Sequence, residues 1–290
     1  MNEYLTTKEL AELLRIKERK VYDLAASGEV PCSRAMGKLL FPRRAVDAWL
    51  AENSSGFTPG RAAERPPVFL GSHDPLLDWA LRESRSGLAT FFDGSLDGLE
   101  RFAANEGIAS GLHIFDPEAA TWNVSAIAGR FAGQDVVLVE WAKRERGLIV
   151  RPEDRDAISE MSDLKGRSVA PRQAEAGSQA LFAHLLTEAG LTGRDIEVIP
   201  PARSENDAAV AVLESKADAA LGLSALARQY RLAFIPVITE RFDLLVDRRA
   251  WFEPPLQAFF AFCRSGAVAA RAADMGGYDV ETFGHVHFNA

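Results

Sequence analysis

The sequence predicts two unlike parts in one chain: a small helical module over residues 1–52, and a larger α/β part over residues 68–290, built as two lobes. Three observations carry this. Two short amphipathic helical segments sit close together near the start and are followed by a hairpin signal. Residues 53–67, NSSGFTPGRAAERPP, then shift to Ser, Gly and Pro with no apolar period, as a hinge between domains does. Beyond them, short apolar strands alternate with helices for about 200 residues, the pattern of parallel sheets covered by helices.

Length and charge agree with that division. At 290 residues, two or three domains are expected. Hydrophobic residues make up 47% and charged residues 26%, as in an ordinary globular chain. The net charge is −8, yet residues 1–52 hold nine Lys/Arg against eight Asp/Glu. An acidic body repels a phosphate backbone, so contact with nucleic acid is expected only from the near-neutral N-terminal part. Cys32 and Cys263 lie far apart and form no metal or redox pattern, which fits a reducing compartment. No basic n-region followed by an apolar stretch opens the sequence, and no run of about 18 apolar residues exists. A cytoplasmic location, without membrane contact, is the expectation.

The N-terminal elements follow in order. In YLTTKELAELLRI, Thr6 and Glu9 are spaced as a capping box, and Leu10, Leu13 and Leu14 form an apolar stripe. After a break at Arg15-Ile16, KERKVYDLAASGEV turns Val21, Leu24 and Ala25 inward, and Gly28 ends the helix. Lys17, Arg19, Lys20 and Tyr22 are long donors on its outward side. Met36-Gly37-Lys38 reads as a hairpin turn between two short strands. Pro42 opens a last helix, RRAVDAWLAE, with Val46, Trp49 and Leu50 as its buried edge. Two helices joined by so tight a turn suggest a helix-turn-helix, whose second helix enters the major groove of DNA.

"LTTKELAELLRIKERKVYDLAASGEVP" followed by "GKLLFPRRAVDAWL" resembles the excisionase/MerR-like winged helix-turn-helix family over about residues 4–52. The resemblance implies a DNA-binding domain. Lys17, Arg19, Lys20 and Tyr22 would meet the groove or its flanking phosphates, Arg34 and Lys38 would sit on the wing, and Arg43 would touch a phosphate.

In the second part, VFLG leads into DPLLDWALRES and LATFF into SLDGLERFAANEG, with LHIFD and VVLVEWA after them. RSVA then precedes SQALFAHLLTEAG, IEVIP precedes SENDAAVAVLESKA, and AALGL precedes SALARQY. FIPVI, FDLLV and two closing helices complete the chain. Breaks near 148 and 240 suit two lobes joined by crossover strands, and no internal repeat is evident.

The run "GSHDPLLDWAL", "DGSLDGLERFAANEGIASGLHIFDPEAATWN", "RGLIV", "SDLKGRSVAPRQ" and "KADAALGLSALARQYRLAFIPVITERFDLLV" resembles the periplasmic-binding-protein-like domain of bacterial regulators, and is similar to molybdate-binding protein lobes. It covers roughly residues 68–264. The resemblance implies a two-lobed fold that closes on a small ligand, often an oxyanion, and His73 and His113 match family positions. The fold class expected is therefore an N-terminal α winged helix-turn-helix plus a C-terminal α/β two-lobed periplasmic-binding-protein-like fold.

Helix starts point to the ligand. Ser72, Ser95 and Ser178 each sit where a strand-to-loop turn feeds a helix, at the carboxyl ends of strands, where free N–H groups and the positive end of the helix dipole favour an anion. Arg172 adds a cationic fork. The family's loop resembles RQ-x-GSGTR, whereas this chain reads RQAEAGSQA. Glu175 there opposes a dianion, and Gln179 stands where the family has arginine, so a small organic ligand, one with an amine for Glu175, stands beside molybdate or tungstate. The ligand-binding set expected is Ser72, His73, Ser95, His113, Arg172, Glu175 and Ser178.

No G-x-S-x-G, P-loop, G-x-G-x-x-G or H-E-x-x-H pattern is present, so no catalytic residues, metal or cofactor are expected. Asp74, Asp93 and Asp97 read as helix caps and first-turn acids, and His285 and His287 fall in a polar tail. The reading is a one-component transcriptional regulator with operator DNA and a small-molecule or oxyanion effector as partners. It is expected to be a homodimer or homotetramer, because one short helix pair buries only about 600–1,000 Å² on DNA. Its alternative is a DNA-binding accessory protein whose C-terminal domain mediates assembly, and a third possibility is an enzyme on the two-lobed scaffold.

Overall fold

The computed structural model describes residues 4–35, 37–52 and 65–290. The chain divides into two compact units, Met1–Glu64 and Arg65–Ala290. Met36 of the hairpin turn, and residues 53–64 of the expected linker, lie outside the described residues. Arg65, by contrast, is fixed in the second unit: its guanidinium donates to the carbonyls of Phe102 and Gly107 and pairs with Asp247 at 3.2 Å.

The N-terminal unit runs β1 (Tyr4–Leu5), α1 (Thr7–Leu14), α2 (Glu18–Ser27), β2 (Ser33–Ala35), β3 (Lys38–Pro42) and α3 (Arg43–Glu52). Thr6 caps α1 through a reciprocal capping box with Glu9, satisfying two N–H groups that the first turn leaves free. Arg15 in the left-handed region (φ 54°) then turns the chain sharply into α2, and Gly28 (φ 74°) ends α2. Leu10, Val21, Phe41 and Val46 are fully buried and bind helices to sheet. The sequence reading missed β1, which pairs with β3 and makes a three-stranded sheet of order β1-β3-β2. Pro42 closes β3, and α3 starts one residue later.

The second unit opens with β4 (Val68–Gly71), α4 (Pro75–Glu83), β5 (Ala89–Phe92), α5 (Ser95–Ala103) and β6 (Ala109–Leu112). The short β7 (Phe115–Asp116), β8 (Thr121–Trp122) and α6 (Val124–Ala128) lead to β9 (Val136–Val150). Next come β10 (Ser168–Ala170), α7 (Gly177–Glu188), β11 (Glu197–Val198), α8 (Glu205–Leu213), β12 (Ala219–Leu223), α9 (Ser224–Tyr230) and β13 (Ala233–Asp247). The chain closes with α10 (Pro254–Cys263), α11 (Ala267–Met275), β14 (Tyr278–Asp279) and β15 (Val286–Asn289).

One mixed sheet carries the unit, in the order β11-β10-β12-β9-β13-β6-β4-β5. The βα units at its two ends pair in parallel, as their alternation with helices requires. At its centre β9 and β13 run antiparallel over their whole lengths, with register shifts at Pro236/Ile238 and Phe242/Asp243. Each passes from one lobe to the other, so the breaks read near 148 and 240 fall inside continuous strands. FIPVI and FDLLV are two ends of β13, and the sheet is mixed where the sequence reading expected parallel strands. The polar C-terminal stretch is also ordered, since β14 and β15 both pair with β9. One lobe packs around Phe69, Trp141, Phe242 and Phe259, the other around Leu148, Val169, Leu181 and Leu221.

Candidate functional site

In the N-terminal unit, Lys17 is the residue preceding α2, and Arg19, Lys20 and Tyr22 lie on its exposed face opposite buried Val21 and Ala25. Tyr22 is 53% exposed. Arg34 on β2 donates to the carbonyl of Ala25 at 3.3 Å, Lys38 opens β3, and Arg43 pairs with Asp47 at 3.5 Å across one helical turn. The outward face of α2 therefore presents three cations and a phenol, a donor set suited to phosphates and base edges.

In the second unit, a cavity of about 130 Å³ is lined by Ser72, His73, Phe92, Asp93, Gly94, His113, Arg172, Ala176, Ser178, Arg203, Ser204 and Glu205. It gathers strand-to-helix turns from both lobes. Gly71, at φ 97°, ends β4 so close to β6 that a Cβ there would stand 2.3 Å from the carbonyl oxygen of Gly111. Glycine alone permits that approach, and it delivers Ser72 to the cavity. The Ser72 hydroxyl lies 2.8 Å from the Ser95 hydroxyl, which accepts the amide N–H of His113 at 3.1 Å. The Ser95 oxygen keeps a second lone pair, so either hydroxyl can donate to the other. Ser95 itself is fully buried and stands behind Ser72.

The helix starts differ in detail from the sequence reading. Asp74 caps α4, accepting the N–H of Leu77 at 2.7 Å, so Ser72 precedes the cap by two residues. Ser95 and Ser178 are first and second residues of their helices, and neither α5 nor α7 has a side-chain cap. The two starts meet: a Cβ on Gly177 would lie 2.7 Å from the His113 carbonyl, and Gln173 donates to the Asp93 carboxylate at 3.0 Å. Glu175 is exposed outside the cavity lining and turns its carbonyl to the Leu96 N–H.

Three polar atoms of lining residues are buried without a partner among the described residues: His73 Nδ1, Arg172 Nε and Ser178 Oγ. The rest of the Arg172 fork is anchored, its Nη1 donating to the Ala202 carbonyl at 3.3 Å. Burial draws the Arg172 pKa down, with Glu205 opposing. Burial also draws His113 below its ordinary value, against Glu240, so its ring is neutral. With Nδ1 at 3.1 Å from Glu240 Oε2, the proton belongs on Nδ1 and Nε2 is an acceptor.

Behind the cavity runs a buried charge ladder: Asp74, Arg144, Glu240, Arg146, Glu205. Arg144 donates to Asp74 at 2.8 Å and pairs with Glu240. Arg146 donates to Glu240 at 2.8 and 2.9 Å and to Glu205 at 3.0 and 3.2 Å. Burial alone would raise both glutamates; Arg144 and Arg146 hold Glu240 well below its ordinary value, and Arg146 and Arg172 hold Glu205 below its own. Sequence reasoning missed this ladder and the Asp93, Arg203 and Glu205 lining. The start of α8 was legible by the signal used for the other serines, since Ser204 and Asp207 form a capping box after a short strand.

His285 and His287 flank Val286 on β15, and His287 Nε2 lies 2.8 Å from Glu140. Among the described residues no cluster of three or more His, Cys, Asp or Glu could hold a metal, and no helix is long and apolar enough to cross a membrane.

Two lobes on shared crossover strands, with a polar cavity where their helix starts meet, define a solute-binding domain, here on the same chain as a helix-turn-helix. The chain belongs to the PBP superfamily, whose domain matches residues 79–264, and a helix-turn-helix domain of the excisionase-like kind matches residues 4–54. It is 23% identical to the uncharacterized protein YvgK of Bacillus subtilis, over 97% of this chain and 96% of that one. A phosphate-bound putative phosphate transporter substrate-binding protein from Clostridium perfringens is 11% identical, with a TM-score of 0.52 over 72% of this chain and 96% of that one. The arginine-bound amino acid transporter substrate-binding protein AbpA from Streptococcus pneumoniae is 11% identical, with a TM-score of 0.50 over 72% and 92%. These likenesses bear on the fold. A DNA-binding type of domain joined to a solute-binding one is the make-up of a ligand-sensing regulator, and neither domain is of an enzymatic family.

Proposed function

We propose that this chain is a one-component transcriptional regulator of the cytoplasm. It binds operator DNA through Lys17, Arg19, Lys20 and Tyr22, aided by Arg34, Lys38 and Arg43, and holds a small effector between its two lobes. The observation that carries the reading is the trio of buried, unpartnered polar atoms on His73, Arg172 and Ser178, all residues of one cavity. Leaving such a group unpaired costs about 1–3 kcal/mol, so three around one space mark a place for a ligand. The uncapped starts of α5 and α7, with Arg172, favour an anionic group, whether a free oxyanion such as molybdate or tungstate or the carboxylate of a small organic molecule. Ser72 and Ser178 support that group, with Ser95 behind Ser72. Two copies on a palindrome supply the contact area that one short helix pair lacks.

The test is fluorescence anisotropy of the full chain on a duplex selected from a random-sequence pool, with and without candidate effectors. An effector is expected to shift DNA affinity at least fivefold, a coupling of about 1 kcal/mol. Selection yielding no preferred duplex, or duplex affinity that no cleft-binding compound alters, would refute the proposal.

A further inference from the structure

Resting on the reading of the cleft as the effector site, we infer that its ligand is a compact zwitterion, one anionic group joined to an ammonium, rather than a bare oxyanion. The charged lining residues balance, Arg172 and Arg203 against Asp93 and Glu205, and the ladder behind them adds Arg144 and Arg146 against Asp74 and Glu240. A bare dianion entering such a space brings two charges that the lining does not neutralise, and burying an uncompensated charge is costly. A molecule of zero net charge leaves the balance intact.

The hydrogen-bonding groups divide in the same way. On the donor side stand Arg172 Nε, in the loop before α7, and Ser178 Oγ, at its uncapped start, both without a partner among the described residues; Ser178 is only 2% exposed. These suit a carboxylate. On the acceptor side stand Glu205 and the Nε2 of His113, whose Nδ1 is committed to Glu240. Each Glu205 oxygen takes one N–H from Arg146, at 3.0 and 3.2 Å, and retains a further lone pair. Molybdate, tungstate and sulfate have no proton to offer these acceptors at neutral pH, whereas an ammonium has three. Size limits the rest. The cavity of about 130 Å³ equals roughly four waters at their share of liquid volume, about 30 Å³ each, which admits half a dozen or so heavy atoms.

The experiment is titration calorimetry of the full chain at pH 7.5 with glycine, alanine and serine, against acetate, propionate, ethylamine, sulfate, molybdate and tungstate. At least one amino acid is expected to bind tenfold or more tightly than acetate, propionate, ethylamine and every oxyanion. Ser178→Ala and Arg172→Gln, each with its melting temperature checked, are expected to weaken that binding about tenfold or more. Tighter binding of an oxyanion, lost in Ser178→Ala, would overturn the zwitterion and leave the cleft as the effector site. Binding that neither substitution changes would overturn both readings, and no heat from any amino acid would overturn the inference.

Discussion

Glu240 is fully buried, and its carboxylate accepts from Arg146 at 2.8 and 2.9 Å while also contacting Arg144 and His113. Glu240→Gln keeps the shape and removes the charge, leaving two buried guanidiniums with only Asp74 and Glu205 between them. Breaking a buried pair from one side costs about 3–5 kcal/mol. In a unit of about 200 residues each kcal/mol moves the melting temperature by about 2–4 °C, so a fall of roughly 6–20 °C is expected by scanning calorimetry. The comparison is Glu214→Gln, whose pairing with Lys216 is half-exposed at 50% and 67% and should contribute less than about 1 kcal/mol. The acid limb gives a second readout. A carboxylate held well below its ordinary value of 4.5 stabilises fully above that value and loses the contribution as pH falls towards its folded-state value. Below about pH 4.5 the variant's stability curve should therefore be the shallower one. A melting loss no larger than that of Glu214→Gln, with an unchanged acid limb, would show that the ladder does not hold the lobes' strands together.

Alanine at Lys17, Arg19 and Lys20 together should abolish specific DNA binding, and any residual binding should have a salt slope smaller by up to about three, near 0.9 for each phosphate no longer neutralised; an unchanged anisotropy titration refutes this. Light scattering should report a dimer or tetramer of the 31.6 kDa chain, and a monomer with and without operator would remove the palindrome argument. Ser72→Ala should weaken effector binding about five- to hundredfold by removing a hydroxyl from a water-poor site, as titration calorimetry would read, and equal affinity would make Ser72 a bystander. Asp243 is pushed up from 3.8 to about 6, chiefly by burial. Its stabilising proton is fully in place below 3.8 and is lost as pH rises through about 6, so Asp243→Asn should gain on the parent by up to about 3 kcal/mol between pH 4 and 7 in urea titrations; parallel curves would refute the shift.

The helix starts were legible because a cap is a local device. Thr6 with Glu9 and the glycine after α2 satisfy or release backbone groups within three or four residues, so their spacing is written in the chain. Ser72, Ser95 and Ser178 were read at strand-to-helix turns for the same reason, whereas His113 was read only from the family resemblance. The continuity of β9 and β13 was not legible, because their pairing joins residues about 100 apart and because charge conceals the strand. VVLVEWA was read as ending at Ala142, since KRER looks like a solvated run.

KRER is instead a strand with its usual inward face occupied by charges. Side chains alternate across a strand, so Ala142, Arg144 and Arg146 share one face, and all three are buried, while Glu145 is exposed. Arg144 and Arg146 can occupy that face only because Asp74 from the α4 cap, Glu240 from β13 and Glu205 from the start of α8 arrive to meet them. None of those three partners lies within 50 residues of the arginines, so no window of sequence contains the cause. The same distance gives the ladder its place in the molecule. It ties a helix cap of one lobe and a cavity-lining carboxylate of the other to both crossover strands, so a ligand that engages Glu205 would act on a group already bonded to the strands that join the lobes.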